Sequence, residues 1–232
     1  MCVVSAQFSS VGRLLRNDAK LWLSNGPYGS YGYFSDDSEI ERAFAWQEKH
    51  QNFIFLRDLL DCSVALDYNF AERGRYTDLG LAEYNAKNAG HGPSINTLVR
   101  ACVRAIATIS SYKNSDAICA VPPSLDKAWD LPTEIARLVS EKTGKPDISD
   151  CAQFWAVKKS IKTSSLEEKW AALNAGQLVV DKSVAGKKVI LIDDKYQSGT
   201  TAQFIASKLY ESGVEEVNGL FCIKTWRDTD NQ

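Results

Sequence analysis

The residues best suited to chemistry lie in one stretch, where two acids, Asp193 and Asp194, precede a loop of small and hydroxyl-bearing residues. Gly199 allows a close approach to a ligand, and hydroxyl groups flank the free N–H groups of a following helix. Such a loop suits a phosphate, whereas two acids repel phosphate and accept hydrogen bonds from hydroxyl groups. A phosphorylated sugar satisfies both demands. The residues predicted to hold its phosphate are Lys195, Tyr196, Gln197, Ser198, Gly199, Thr200 and Thr201.

The elements that position these residues alternate between helix and strand from about Pro93 onward. A buried strand over 187–194 leads through the loop into a helix over 201–213, and a strand over 214–225 follows. Such alternation with short connections is typical of an α/β fold with a parallel sheet and helices on its faces. The other predicted elements are helices over 94–112, 131–144 and 165–175, and strands over 117–121 and 151–157.

The N-terminal part of the chain has a less regular pattern and is rich in aromatic and turn residues. Strands are predicted over 20–24 and 52–56. We therefore predict two parts: an N-terminal elaboration over residues 1–69, which could form a hood, and a main domain over residues 70–232.

Residues 189–201 resemble the phosphoribosyl diphosphate motif of type I phosphoribosyltransferases: four apolar residues, two acids, and a loop ending in Thr/Ser-Gly-x-Thr. Lys195 stands where that family usually has an apolar residue, and Gln197 where it usually has Thr or Ala. The resemblance implies the type I phosphoribosyltransferase fold, a parallel twisted sheet with a lid. It also implies binding of 5-phosphoribosyl 1-diphosphate and transfer of phosphoribose to or from a nitrogenous base, with pyrophosphate as co-product. Asp193 and Asp194 would be catalytic and would bind Mg²⁺ as the cofactor.

The resemblance extends to a second loop, because members of the family bind pyrophosphate after the first core strand. AVPPSLDKAWD occupies that place here, which implies contacts from Ser124 and Lys127. For Lys127, a solvated lysine at a helix entry is an equal alternative.

Residues 158–180 look like the ComF-like (competence protein ComF) branch of the family, in which basic residues, a Thr and an Asn precede the same strand. The family's arginines are lysines here, and a lysine cannot form the same two-pronged phosphate contact. The cysteine-rich zinc segment that often precedes ComF domains is absent from the sequence. The residues that carry this resemblance are Lys159, Lys162, Thr163, Lys169 and Asn174.

Two alternatives to catalysis stay open. Lys195 and Gln197 keep a non-catalytic sensor of phosphoribosyl diphosphate or a nucleotide in consideration, and the ComF-like segment suggests a protein of DNA uptake or bacterial defence. A kinase or nucleotide hydrolase is disfavoured because the loop G-x-x-x-x-G-K-[ST] does not occur.

The composition restricts the remaining function classes. With 232 residues, 44% of them hydrophobic, and a net charge of −2, the chain is expected to be a folded, cytoplasmic protein. A chain of this net charge has no general positive field that would bind nucleic acid, although nucleic acid as a partner stays open. The sequence also contains no apolar run of membrane-spanning length. The acceptor base and the oligomeric state also stay open, with a homodimer as one option.

The cysteines and the two histidines show no metal-site pattern. The six cysteines are spread singly and mostly lie in apolar stretches, so we expect core residues. Cys2 has one alternative, an N-terminal nucleophile after loss of Met1. His91 and Trp155 are candidates for contacts to a base or to pyrophosphate, but we interpret His91 as a lone loop residue and Trp155 as a core aromatic.

Overall fold

The computed structural model describes residues 3–6, 9–26, 29–156 and 166–226. Its strands are β1 (Val3–Ala6), β2 (Ser24–Gly26), β3 (Gly29–Tyr33), β4 (Ile54–Phe55), β5 (Cys62–Ala65), β6 (Phe70–Glu72), β7 (Arg75–Tyr76), β8 (Ala117–Ala120), β9 (Ala152–Phe154), β10 (Leu178–Val180), β11 (Lys188–Tyr196) and β12 (Glu216–Lys224). Its α-helices are α1 (Ser9–Asp18), α2 (Asp37–His50), α3 (Asp78–Ala89), α4 (Gly92–Thr108), α5 (Ser110–Lys113), α6 (Leu131–Thr143), α7 (Leu166–Ala175) and α8 (Thr200–Glu211).

A five-stranded sheet with the order β4-β5-β12-β11-β8 forms the centre of the fold. β5, β12, β11 and β8 run parallel, and the short edge strand β4 is antiparallel to β5. The predicted α/β class with a parallel sheet is therefore confirmed. The carboxyl ends of parallel strands share one edge, which collects the loops that follow β5, β8, β11 and β12.

Both faces of this sheet are covered, and each face has its own apolar core. Ile190 and Ile192 of β11 pack on the side of α4 and α6, whereas Val189 and Leu191 pack on the side of α8. This alternation follows from the pleat of a strand that is buried on both faces. Asp194 continues the first series, so its carboxylate leaves the strand on the face that α3 also covers.

The sheet crosses the predicted boundary between residues 69 and 70. β5 lies before that boundary, yet it pairs with β12 through the register Cys62↔Asn218 to Ala65↔Phe221. Leu14 of α1 also packs in the core on the α4 side of the sheet. A short, fully buried strand has no alternation of polar and apolar residues, so the pattern of the sequence does not reveal it.

Other elements differ in extent or partner from the predictions. The helix predicted over 94–112 divides at Ile109, whose extended backbone (φ −92°, ψ 122°) ends α4 before α5 begins. The strand predicted over 151–157 is the short β9, which pairs with β10 outside the central sheet. Of the strand predicted over 20–24, Ser24 alone lies in a strand, and helices α1, α2 and α3 were not predicted. None of the described helices has the length and apolar character that crossing a bilayer requires.

Candidate functional site

The candidate site begins where β11 ends, and that end lies two residues beyond the predicted one. Lys195 pairs with Ile223 and Tyr196 with Lys224, so both belong to β11 rather than to the loop. Residues 197–199 alone connect β11 to α8. The predicted phosphate-binding segment is therefore a tight turn followed by the first residues of a helix.

The start of α8 presents backbone donors to this edge of the sheet. Gly199 precedes α8 in the left-handed conformation (φ 76°), and no side chain among the described residues caps the helix. The first N–H to bond back within the helix belongs to Gln203, which donates to the Gly199 carbonyl (2.9 Å). The three amides before it point out of the helix end, where they suit an anion. Ser198 and Thr200 add hydroxyl groups that lie 2.9 Å apart.

Gly199 is required by a neighbouring side chain. A Cβ atom added to Gly199 would lie 2.6 Å from Cζ of Tyr196. The ring of Tyr196 is buried against Phe221 at a centroid distance of 4.8 Å. The glycine was expected to admit a ligand, and its close contact in this structure is with the tyrosine that supports the turn.

The two aspartates have different surroundings. Asp194 is only 5% exposed, and its Oδ2 forms an ion pair with Nζ of Lys87. Asp193 is half-buried, and its Oδ1 accepts a hydrogen bond from the Asp194 N–H (2.9 Å). Asp194 is therefore turned towards α3 and already neutralised by Lys87, a partner that the sequence analysis did not identify.

A second ion pair lies beside the first and also involves α3. Glu83 is 3% exposed, and its Oε1 lies 3.1 Å from Nζ of Lys195 and 3.7 Å from Nζ of Lys87. Burial raises the pKa of the Glu83 carboxyl, although both lysines oppose that shift. Burial lowers the pKa of Lys87, but Asp194 and Glu83 outweigh burial, so its pKa lies above the usual value. One electrostatic unit is thus formed by two acids, Glu83 and Asp194, and two lysines, Lys87 and Lys195.

Two cavities meet at the aspartates. One of about 260 Å³ is lined by the turn and the start of α8. The other, of about 410 Å³, is lined by the loop after β8, including Ser124 and Lys127. The side chains that both cavities share are Lys87, Asp193, Asp194 and Thr201. The structure therefore brings Ser124 and Lys127, which line one cavity, and the segment 195–201, which lines the other, to the same acid pair.

Glu83 and Lys87 were missed by the sequence analysis, although α3 carries a pattern that could have drawn attention to them. Gly80, Ala82 and Ala86 are buried, so one side of the helix packs closely against its neighbours. Glu83 lies among these small residues, and Lys87 follows it by one turn. A charged pair on a face of small residues predicts a buried ion pair with a third partner.

The predicted lid, residues 158–180, contributes one described residue to the site. Lys169 of α7 is buried and lines the cavity beside the turn. Trp170 packs edge-on against Phe204 of α8 (5.2 Å between ring centroids), which holds α7 beside α8. Asn174 is exposed on α7. Lys159, Lys162 and Thr163 lie outside the residues that the structure describes.

The donors at this edge do not form a metal site made of protein groups alone. Within the described part of the chain, no three or more His, Cys, Asp or Glu side chains are grouped to hold a metal ion. Asp194 shares its carboxylate with the Lys87 ammonium, and a lysine beside a carboxylate competes with a cation for that carboxylate. The site therefore does not fit direct coordination of Mg²⁺ by both aspartates.

The remaining candidate residues lie away from these cavities. His91 precedes α4 and its Nδ1 is 2.8 Å from Oγ of Ser94, which is a structural role at a helix start. Trp155 is 71% exposed, so its interpretation as a core aromatic is wrong. It directly follows the short β9, which pairs with β10 outside the central sheet. Cys62, Cys102, Cys119 and Cys222 are buried as expected, and Cys151 is half-buried. Cys2 lies outside the described residues.

Comparison with known proteins gives similarity to solved structures alone. No family model and no curated protein matches the chain. The chain is similar to the glutamine mutant in an analysis of an invariant aspartic acid in HPRTs (13% identity, 56% of this chain, 67% of that chain, TM-score 0.37). It is also similar to the glutamic acid mutant of that analysis (12% identity, 58% of this chain, 69% of that chain, TM-score 0.38). A third similar structure is HGPRT-ase from Leishmania tarentolae in complex with GMP (14% identity, 57% of this chain, 67% of that chain, TM-score 0.33). At these TM-scores the similarities carry no evidence about activity.

Proposed function

We propose that this chain binds 5-phosphoribosyl 1-diphosphate and transfers its phosphoribosyl group to, or from, a nitrogenous base. The observation that carries the proposal is the junction of two cavities at Asp193 and Asp194. One cavity offers the amides at the start of α8, and the other offers Ser124 and Lys127. A ligand with a phosphate at each end and hydroxyl groups in the middle matches this order of donors and acceptors.

Each part of the ligand then has a partner of suitable chemistry. The amides and hydroxyls from Ser198 to Thr201 donate to the 5-phosphate. Asp193 and Asp194 accept hydrogen bonds from the ribose hydroxyls, and Ser124 and Lys127 donate to the diphosphate. These contacts fix the sugar while C1 is open to the base, so positioning provides most of the catalysis.

The reaction is a displacement at C1 of the ribose. The lone pair of the base nitrogen forms the N–C1 bond while the bond from C1 to the diphosphate oxygen breaks. The electron pair of the broken bond leaves with the diphosphate, and the proton of the attacking N–H passes to solvent. Lys127 and the nearby Lys87 are the cations placed to stabilise that charge. Because Asp194 is paired with Lys87, no step of this reaction is assigned to Mg²⁺ at the two aspartates.

Binding of the sugar diphosphate is tested with the double variant Asp193→Asn, Asp194→Asn. Because both acceptors of the ribose hydroxyls lose their charge, we expect calorimetry to show affinity lower by about 100-fold or more. Asp37→Asn, at an exposed position of α2, is the matched control and should bind as the wild type does. A correctly folded double variant with unchanged affinity would refute the proposed site.

The second candidate function is a sensor that binds the same ligand without turnover. The ion pairs of Asp194 with Lys87 and of Glu83 with Lys195 favour it, because they hold groups of the site that a reaction needs free. Incubation with phosphoribosyl diphosphate and a panel of bases separates the two functions. Release of pyrophosphate supports the transferase, and binding without release supports the sensor. A role in DNA uptake or defence stays a prediction of the ComF-like resemblance.

A further inference from the structure

Lys87 lies at the centre of the candidate site. Its ammonium pairs with Asp194, lies 3.7 Å from Glu83, and lines both cavities. Its side chain is 44% exposed, whereas the carboxylates it contacts are almost fully buried. The lysine therefore has one side on buried acids and the other on the space that a ligand would enter.

The charges around the aspartates create a problem for an anionic ligand. Three carboxylates, from Glu83, Asp193 and Asp194, lie near the ammonium groups of Lys87 and Lys195. Lys169 and Lys127 each line one of the two cavities, whereas Lys87 lines both. A diphosphate placed beside them adds further negative charge in a partly buried space, where like charges repel strongly. A cation must therefore lie between the acids and the diphosphate.

We propose that Lys87 is this cation, in place of a divalent metal ion held by the aspartates, so that phosphoribosyl diphosphate binds without Mg²⁺. The inference rests on the proposed function. An ammonium has three donors on a flexible stem, so it keeps a bond to Asp194 while it donates to the ligand. Glu83 is a positioning residue, because its buried carboxylate holds both Lys87 and Lys195 at this edge of the sheet.

The first test measures the affinity of the wild-type protein for phosphoribosyl diphosphate by calorimetry, in EDTA and in millimolar Mg²⁺. We expect the two dissociation constants to agree within about threefold, because the protein supplies its own counter-ion. Binding that needs Mg²⁺ would overturn the role of Lys87 and leave the proposed function intact. Absence of binding in both conditions would overturn the proposed function itself.

The second test uses Lys87→Met, which keeps the length of the side chain and removes its charge. In EDTA, the affinity for phosphoribosyl diphosphate should fall by about tenfold or more, and the affinity for ribose 5-phosphate should fall less, because that ligand lacks the diphosphate. Added Mg²⁺ should restore part of the loss, since the aspartates then accept a metal. Unchanged affinity of a folded variant in EDTA would overturn the inference.

Lys208→Met is the matched control, because Lys208 is also an ion-paired helix lysine, with its Nζ 2.7 Å from Oε2 of Glu211. It should bind both ligands as the wild type does. The wild-type comparison needs no substitution, so it decides the matter even if loss of Lys87 beside two buried acids prevents folding.

Discussion

At the scale of single residues, Gly199 and Tyr196 determine the shape of the turn that presents the amides of α8. Gly199 has a positive φ, and the ring of Tyr196 occupies the space where a Cβ would lie. Gly199→Ala should therefore combine a backbone cost with a steric clash. Gly74→Ala is the matched control, because Gly74 has a φ of 83° and no described atom within 4 Å of an added Cβ.

We expect Gly199→Ala to lower the free energy of unfolding by at least about 1 kcal/mol more than Gly74→Ala does, because the clash adds to the left-handed cost. Urea denaturation of both variants measures this difference. Equal losses would mean that Tyr196 moves aside without cost and that the turn does not depend on the glycine.

At the scale of elements, Asp61 joins one helix of the N-terminal segment to the central sheet. Its Oδ2 accepts hydrogen bonds from Oη of Tyr210 in α8 (2.7 Å) and from the N–H of Val217 in β12 (3.0 Å). Its Oδ1 lies 3.3 Å from Nη1 of Arg13 in α1. Burial, together with Asp61, raises the pKa of Tyr210, so that hydroxyl stays a donor.

Asp61→Ala should lower the free energy of unfolding by roughly 2 kcal/mol or more, because two partly buried donors lose their acceptor. Tyr210→Phe removes one of those hydrogen bonds and should cost about half as much. Asp37→Ala, at an exposed position, should change stability by less than about 0.5 kcal/mol. Thermal and urea unfolding measure these changes. A loss of stability in Asp61→Ala no larger than that in Asp37→Ala would contradict the role of Asp61.

At the scale of the whole molecule, His50 connects α2 to the edge of the sheet, and its burial predicts that overall stability depends on pH. It is 3% exposed, stacks on Trp46 at 4.2 Å, and lies beside Phe53 and Phe55. Burial lowers its pKa below the usual 6.5, although the carbonyl of Trp46 opposes this. A lowered pKa means that the unfolded chain binds the proton more readily than the folded chain does. The stability that buried, neutral His50 contributes is therefore present above pH 6.5 and is lost as pH falls below it.

We expect the wild-type protein to lose stability between pH 7.5 and pH 5.5, and His50→Phe to lose clearly less over that window, since phenylalanine keeps the ring packing without a titrating group. Denaturant unfolding at both pH values measures the two slopes. His91→Gln, at an exposed position, should keep the wild-type slope. A His50→Phe slope equal to that of the wild type would assign the pH dependence to other groups.

The sequence by itself determined the local unit around the candidate site. The apolar run before Asp193, the small residues after Tyr196 and the helical spacing that follows identify a strand, a turn and a helix, because each depends on residues close in the chain. The edge position of the acids followed from the same pattern. The exact end of β11 did not, because Lys195 and Tyr196 are held in the strand by pairing with β12.

Only the tertiary structure decided which side chains contact the two aspartates. Lys87 and Asp194 are separated by 107 residues in the chain. They come together because α3 packs on the face of the sheet to which the Asp194 side chain points. The membership of β5 in the five-stranded sheet was decided in the same way, by its pairing with β12. Periodicity records which face of an element is buried, whereas the partner of a buried charge depends on long-range packing that no local pattern contains.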